Sequence, residues 1–169
     1  MKRISTLLAA LAATFIFAGN AFAAEPDSPG TKLVTIQAGY GPGIGALVSG
    51  NIAMANMAGG HLYGGLQLGG NFRHGAATGT HKMDLSLAPR VMLGWNLGRV
   101  VELHAGGFAG IAAQRFDESK SQLVFSCGGF GGLRLNVSES FALVAEGYYA
   151  YPTKYLHVPY GSAGIAIKF

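Results

Sequence analysis

The chain has 169 residues, of which half are hydrophobic, only 12% are charged and 27 are glycine. A formal net charge of +4 without a run of basic residues gives no indication of nucleic-acid binding. The many apolar residues argue against a disordered chain, and the single cysteine, Cys127, excludes an internal disulfide.

Residues 1–23 predict a cleaved signal peptide. Lys2 and Arg3 give a positive start, residues 7–18 form a short apolar stretch, and Ala21-Phe22-Ala23 matches the small-x-small pattern of a cleavage site. The apolar stretch is shorter than a comfortable membrane span. We therefore expect export of the chain, with residues 24–169 forming a single domain.

The rest of the chain predicts strands rather than helices. No apolar stretch after residue 24 is long enough for a transmembrane helix. Apolar and polar residues alternate between regularly spaced turn signals, which is the period of a β-strand. The strands are predicted at 32–40, 44–56, 61–73, 83–97, 100–115, 122–136, 141–151 and 160–169. An apolar, exported, all-β chain with an even strand count predicts a closed antiparallel transmembrane β-barrel of eight strands, arranged up-and-down.

The two faces of the predicted strands differ in charge. In the fourth strand, Met83, Leu85 and Leu87 alternate with Asp84 and Ser86. A soluble lipocalin-like barrel has the same period but turns its charged face to water. The glycines favour the opposite orientation, with charges inside, because a narrow eight-stranded interior limits side-chain volume. The glycines on the charged phase are Gly65, Gly69, Gly94, Gly106, Gly110, Gly128, Gly132 and Gly164.

The connections alternate between short and longer segments. Those at 57–60, 98–99 and 137–139 predict periplasmic turns, whereas those near 41–42, 74–81, 117–120 and 152–159 are expected to face outside. Aromatic rings favour both membrane interfaces. We place Trp95, Phe141 and Phe169 near the periplasmic side, and Tyr40, Phe72, Tyr149 and Tyr151 near the outer side.

Pro89 interrupts this regular pattern. It lies on the apolar phase of the fourth strand, and proline lacks the N–H group that a strand ladder requires. We therefore expect a local bulge or break at this position.

The final predicted strand carries a family resemblance. It ends in Ile165, Ile167 and Phe169 at alternate positions. With the signal peptide and the eight alternating strands, it resembles the small outer-membrane barrels of the OmpA-barrel and OmpX kind, over all of residues 24–169. The resemblance implies that these three residues are the signal presented to the outer-membrane barrel-assembly machinery. The outer connections are shorter than the long loops of several relatives, so the resemblance carries no adhesin or invasin role.

The inward phase collects most of the charged residues. Counting from the short turns places several of them at similar depths near the periplasmic half, where unpaired buried charges would be costly. We predict an ion-pair cluster that plugs the lumen, with Arg134 between the strands that carry Glu102 and Glu146 as its hub. The cluster comprises Asp84, Arg90, Glu102, His104, Arg134, Glu146 and Lys168, and Arg73 shares the same phase. A gate or proton path is an alternative role for these residues.

Enzymatic and metal-binding roles find little support in the sequence. One family of small outer-membrane lipid A deacylases carries a His-x-Ser pair, and no histidine here has serine two positions later. His74 and His81 share an outer connection without an accompanying cysteine or carboxylate, which favours a solvated pair over a metal site. No cofactor is predicted.

The sequence thus predicts a small integral outer-membrane barrel with a structural or envelope-interaction role. Its expected partners are outer-membrane lipid, including lipopolysaccharide, and the barrel-assembly machinery. A narrow channel for small molecules and a lipid A-modifying enzyme are the alternatives.

Overall fold

The computed structural model describes residues 27–40, 43–74, 81–116, 122–151 and 161–169, with the backbone alone at 73–74, 81–82, 115–116 and 151. The predicted signal peptide, at 1–23, lies outside these ranges. The described residues contain no helix that is long and apolar enough to cross a membrane. They form eight strands: β1 (Lys32–Tyr40), β2 (Ile44–Met57), β3 (Gly60–His74), β4 (His81–Leu97), β5 (Val101–Phe116), β6 (Gln122–Asn136), β7 (Phe141–Tyr151) and β8 (Gly161–Lys168).

The eight strands close into one antiparallel barrel. Each strand pairs with its neighbours in chain order, and β1 closes the sheet by pairing with β8, from Leu33 opposite Lys168 to Tyr40 opposite Gly161. The predicted fold class is therefore confirmed, and the strand bounds differ from prediction by no more than two residues. Closure leaves no free sheet edge, so the ladders pair strand backbone groups all around the barrel.

The charged phase of each strand faces the interior. In β4, Asp84 and Arg90 are each 2% exposed, whereas Met83, Leu85 and Leu87 are 57%, 50% and 49% exposed. Because successive side chains of a strand point to opposite faces, this alternation repeats along the other strands. The core of this protein is thus a mixed polar and aromatic lumen, and the large apolar side chains cover the outside.

Inward glycines make room for large inward side chains. A Cβ atom on Gly106 would lie 2.6 Å from the Phe130 ring and 2.2 Å from the backbone oxygen of Val91. At Gly128 it would lie 2.9 Å from the Phe108 ring. The glycines of the charged phase therefore follow from the limited lumen space, as the sequence predicts.

The two ends of the barrel differ in their connections. The turns between β2 and β3, β4 and β5, and β6 and β7 lie at one end, here the short-turn end, and the first two use Gly59 and Gly98 at positive φ (76° and 77°). The predicted outer connections fall in residues 41–42, 75–80, 117–121 and 152–160, which lie outside the described residues. Trp95 and Phe169 are exposed at the short-turn end, and Tyr40, Phe72 and Tyr149 at the other.

The predicted irregularity at Pro89 takes the form of a break in strand pairing. Pro89 pairs with Leu66 of β3, and β4 keeps the same register with β5 on both sides of it, so no bulge forms there. The missing N–H is accommodated by a gap in the β4–β5 pairing at Ala88 and Pro89. The bulge is instead between β2 and β3, where the register shifts between Ala53 and Ala55.

Candidate functional site

The charged side chains meet in the half of the lumen nearer the short-turn end. Five groups form a mouth cluster at this end: Asp27, Tyr63, Glu102, Arg134 and Lys168. Five further groups form a mid-lumen cluster next to it, on the side away from the short-turn end: Gln37, Arg90, His104, Glu146 and Tyr148. All ten residues are buried.

Two carboxylates and two cations balance one another in the mouth cluster. Arg134 donates from Nη2 to Glu102 Oε2 at 2.6 Å and also to Asp27 Oδ2. Lys168 Nζ lies 3.0 Å from Asp27 Oδ1. The Tyr63 hydroxyl lies 2.7 Å from Asp27 Oδ2 and 2.9 Å from Glu102 Oε2, and accepts from Arg134 at 3.1 Å. Each charged group therefore has an opposite charge at hydrogen-bond distance, as burial requires.

Asp27 belongs to the segment before β1, yet its side chain lies inside the mouth. Burial opposes ionisation of its carboxyl group, but Arg134, Lys168 and hydrogen bonds from Tyr63 and Lys168 outweigh this effect and hold the pKa of Asp27 below its usual range. The carboxylate form is thus the one that the site stabilises.

The mid-lumen cluster is organised around the Glu146 carboxylate. Oε1 accepts from Arg90 Nη2 at 2.9 Å and lies 3.0 Å from His104 Nε2, which must donate to a carboxylate oxygen. Oε2 accepts from Gln37 Nε2 at 2.7 Å and from the Tyr148 hydroxyl. Four donors from four different strands therefore converge on one carboxylate, an arrangement that stabilises charge without solvent.

Glycine permits the approach of His104 and Glu146. The two residues lie on β5 and β7, and Gly132 of β6 is the register partner of both. A Cβ atom on Gly132 would lie 2.9 Å from Glu146 Cα and 2.1 Å from the backbone oxygen of Ala145. Without a side chain between them, the imidazole and the carboxylate meet across the intervening strand.

Aromatic rings pack above and beside these charges. The Arg90 guanidinium carbon lies 3.9 Å from the centre of the Phe130 ring, at cation–π distance. Phe130 stacks on Tyr148 with ring centres 5.4 Å apart, and the ring centre of Phe108 lies 6.2 Å from that of Tyr148.

The cavity between the two clusters, which both Arg134 and Glu146 line, has a volume of about 10 Å³. Such a space holds about one water molecule, so the side chains nearly fill the lumen at this depth.

The structure brings six of the seven predicted cluster residues together, with different pairings. Arg134 contacts Glu102 and Asp27, whereas Glu146 contacts Arg90 and His104. The two clusters approach through His104 Nδ1, 4.0 Å from Glu102 Oε1. The expectation that Arg134 joins Glu102 to Glu146 is therefore wrong.

Asp84 lies apart from both clusters. It is buried on β4, six residues from Arg90 toward the opposite end, beside Asn71 and Gln114 on the neighbouring strands. The predicted lumen residue Arg73 and the pair His74 and His81 have side chains outside the described part of the chain.

Sequence reasoning missed Asp27 as a member of the site. Asp27 precedes the first strand, so the alternating pattern contains no signal for it. Tyr63, Tyr148 and Gln37 occupy inward positions that the alternation does identify, but a charge count ignores them. Inward hydroxyl and amide groups at the depth of buried carboxylates are the signal that would have found these three.

The site offers little to metal or nucleophilic chemistry. Among the described residues, no group of three or more His, Cys, Asp or Glu side chains could hold a metal ion. His61 is hydrogen-bonded through both ring nitrogens, to Asn56 at 3.0 Å and to Asn96 at 3.0 Å. His104 is bound to Glu146 inside the filled lumen. The arrangement suits charge pairing.

Neither a protein-family model nor a curated protein matches the chain. Solved structures do. The crystal structure of Neisserial surface protein A is similar with a TM-score of 0.60 and 16% identity, covering 82% of this chain and 94% of that one. Ail, the attachment invasion locus protein of Yersinia pestis, is similar with a TM-score of 0.50 and 14% identity, covering 83% of this chain and 96% of that one. The N-terminal β-barrel domain of Pseudomonas aeruginosa OprF is similar with a TM-score of 0.50 and 16% identity, covering 85% of this chain and 100% of that one. The chain therefore has the fold of the small eight-stranded outer-membrane β-barrels.

Proposed function

We propose that this protein is an integral protein of the bacterial outer membrane with a structural or envelope-interaction role and a lumen closed by ion pairs. The observation that carries the proposal is the outer wall of the barrel. Apart from Arg115, which lies one residue before the end of β5, the outward positions between the strand ends of the described strands carry no Asp, Glu, Lys, Arg or His residue. Large apolar side chains such as Ile36, Leu66 and Leu87 are about half exposed there. An apolar surface of this extent marks a membrane or a protein interface.

The height of the apolar wall fits a bilayer. On β4 it extends from Met83 to Trp95, which corresponds to about 40 Å along the strand and about 28 Å along the barrel axis at a tilt of about 45°. The apolar band of outer-membrane barrels is about 25 Å tall. Exposed aromatic rings at both ends of the wall lie where membrane interfaces would be. Hydrocarbon is the surrounding that this surface fits.

The filled lumen supports closure over conduction. The cavity of about 10 Å³ between the clusters and the aromatic layer above them leave no room for a row of water molecules at that depth. We therefore expect no steady conductance from single barrels in a planar lipid bilayer. Steady single-channel current from the refolded protein would instead favour the narrow channel.

The partners proposed here are lipid, including lipopolysaccharide, and the barrel-assembly machinery. Ile165 and Ile167 face outward on β8, and Phe169 follows that strand with 67% of its surface exposed. An exposed aromatic residue after alternating apolar residues is available to a receptor. Replacement of Phe169 by serine should lower the amount of assembled protein in cells, with Ser162→Thr on the same strand as the control.

Location is tested by fractionation. The protein should co-sediment with the outer membrane and require detergent for extraction, because its outer wall needs an apolar surrounding. Recovery as a soluble periplasmic monomer would contradict the proposal and support a lipocalin-like barrel.

The lipid-facing wall is tested by a matched pair of variants on one strand. Leu87→Arg should lower the free energy of unfolding by about 2–4 kcal/mol if the residue lies near the bilayer midplane. Ser86→Thr, which faces the lumen and keeps the hydroxyl that donates to the backbone oxygen of Gly69, should cost much less. Urea unfolding in lipid vesicles gives both values. Equal losses would show that the assignment of the two faces is wrong.

An enzymatic role is tested separately. The lipid A of cells with and without the gene should give the same mass spectrum, because the His104 and Glu146 pair is enclosed and no serine lies at the His-x-Ser spacing. A change in acylation would require a lipid-directed activity.

A further inference from the structure

Asp27 is a carboxylate that reaches the barrel interior from outside the barrel wall. The segment that carries it is held beside β2, since Gly30 N donates to Ala53 O at 2.8 Å and Ala53 N to Thr31 O at 2.9 Å. From this position the Asp27 side chain enters the mouth, where only 1% of it remains exposed.

Three strands supply the groups that receive it. Lys168 of β8 lies at one carboxylate oxygen, and Tyr63 of β3 and Arg134 of β6 lie at the other. Convergent donors on both oxygens, two of them cationic, are the recognition pattern for a carboxylate. These donors belong to the barrel itself, whereas the carboxylate belongs to the preceding segment.

The charge balance of the mouth depends on that segment. Arg134 and Lys168 contribute two positive charges, and the barrel wall contributes one carboxylate to the cluster, Glu102. The barrel alone is therefore short of one negative charge at this position, in a buried setting where an uncompensated cation is costly.

The site borders solvent at the short-turn end. An open pocket of about 300 Å³ at this end is lined by Asp27, Lys168 and Thr31, together with Glu139, Ser140 and Phe169. Beyond Arg134 the lumen narrows to the cavity of about 10 Å³. If the Asp27 side chain were withdrawn, a small anion that entered this pocket would meet Lys168 and then Arg134, the two cations that Asp27 contacts. The negative charge of Glu139 disfavours multivalent anions.

We propose that Tyr63, Arg134 and Lys168 form a binding site for a monovalent carboxylate, and that Asp27 is its tethered ligand and latches the mouth of the barrel. Departure of the segment would open a vacancy for an external carboxylate of similar size. This inference concerns the short-turn end alone and holds whether or not the barrel conducts.

Chemical rescue tests the site. Asp27→Ala removes the tethered ligand and should lower the urea midpoint of the full chain refolded in phosphatidylcholine vesicles. Sodium formate should restore the midpoint with a saturable dependence, while sodium chloride at equal ionic strength should not. A ligand of three heavy atoms reaches at best about millimolar affinity, so half of the effect is expected at or above about 1 mM. Sulfate should restore less than formate.

Three further variants define what the rescue means. In the Asp27→Ala background, Lys168→Met should abolish the response to formate. The urea midpoint of Asp27→Asn should rise little with formate, because the amide still fills the site. The midpoint of Glu139→Ala, which alters another carboxylate of the pocket, should rise with formate no more than that of the wild type. If Asp27→Ala does not fold alone, formate in the refolding buffer should recover folded protein. Absence of any formate effect specific to Asp27→Ala, in midpoint or in yield, would overturn the proposal.

Discussion

The two halves of the lumen are built on opposite principles. In the half nearer the short turns, seven Asp, Glu, Arg, Lys and His side chains each lie at hydrogen-bond distance from a side chain of opposite charge type. In the other half, the inward polar side chains that the structure describes are amide and hydroxyl groups, with Asp84 as an exception. The side-chain oxygen and nitrogen of both Gln67 and Asn71 have no protein partner among the described residues. The multidentate ion pairs of Asp27, Arg134 and Glu146 thus all lie in the half nearer the short turns.

The comparison distinguishes side chains that fix the register of the strands from side chains that only fill the volume of the lumen. The Glu146 carboxylate of β7 has donors from three other strands, β1, β4 and β5, and it fixes the stagger of these strands because each donor reaches it only in one register. An amide without a partner occupies volume but imposes no register. We infer that the charged half defines the barrel geometry and that the other half follows from strand continuity.

The largest expected effect comes from breaking the mouth cluster. Arg134→Ala should lower the free energy of unfolding by roughly 3–5 kcal/mol, because Asp27 and Glu102 would then face one another across Tyr63 with Lys168 as the remaining cation. Arg134→Met combined with Glu102→Leu should cost less, since it removes charge from both sides. Urea unfolding in vesicles measures all three proteins. A neutral Arg134→Ala would mean that the cluster does not stabilise the barrel.

A matched pair of glutamines compares the halves directly. Gln37→Leu removes a donor to the Glu146 carboxylate and should cost about 1.5–3 kcal/mol. Gln67→Leu removes an amide without a protein partner and should be neutral or stabilising by up to about 1 kcal/mol. Both residues face inward and are almost fully buried, so volume and burial are matched. Equal losses for the two variants would remove the distinction between the halves.

The smallest effect is the pH dependence that Asp27 gives to the charged half. Because its pKa is lowered in the folded state, its contribution to stability is fully present above the ordinary carboxyl pKa of about 4 and is lost as the pH falls through the lowered value. The difference in unfolding free energy between wild type and Asp27→Asn should therefore narrow in acid. A difference that stays constant from neutral pH to about pH 3 would contradict this, whereas Gln67→Leu should show such constancy.

The sequence predicts the wall of this barrel better than its interior. Strand bounds, inward phase and inward glycines all follow from a period of two and from the small volume of an eight-stranded lumen. Which charges pair does not follow, because contacts across the lumen depend on the stagger of non-adjacent strands. Arg134 and Glu102 are register partners on adjacent strands, so their pairing was accessible, whereas the contact of Arg90 with Glu146 crosses the barrel. The pattern correctly locates the irregularity at Pro89 but leaves its form open, since a lost donor is met by a gap in pairing as readily as by a bulge.

The position of Asp27 in the chain also bears on the order of folding. Its partners are far away in sequence, with Tyr63 36 residues and Arg134 107 residues along the chain, and Lys168 lies on the last strand. Contacts of such separation form late because loop closure precedes them. The contact of Asp27 with Lys168 requires β8 to be in place, so we expect the complete set of Asp27 contacts to form after the folding transition state. Loss of the Asp27 carboxylate should then speed unfolding and leave the folding rate almost unchanged. On this expectation, the segment before β1 slows the opening of a barrel that has already closed.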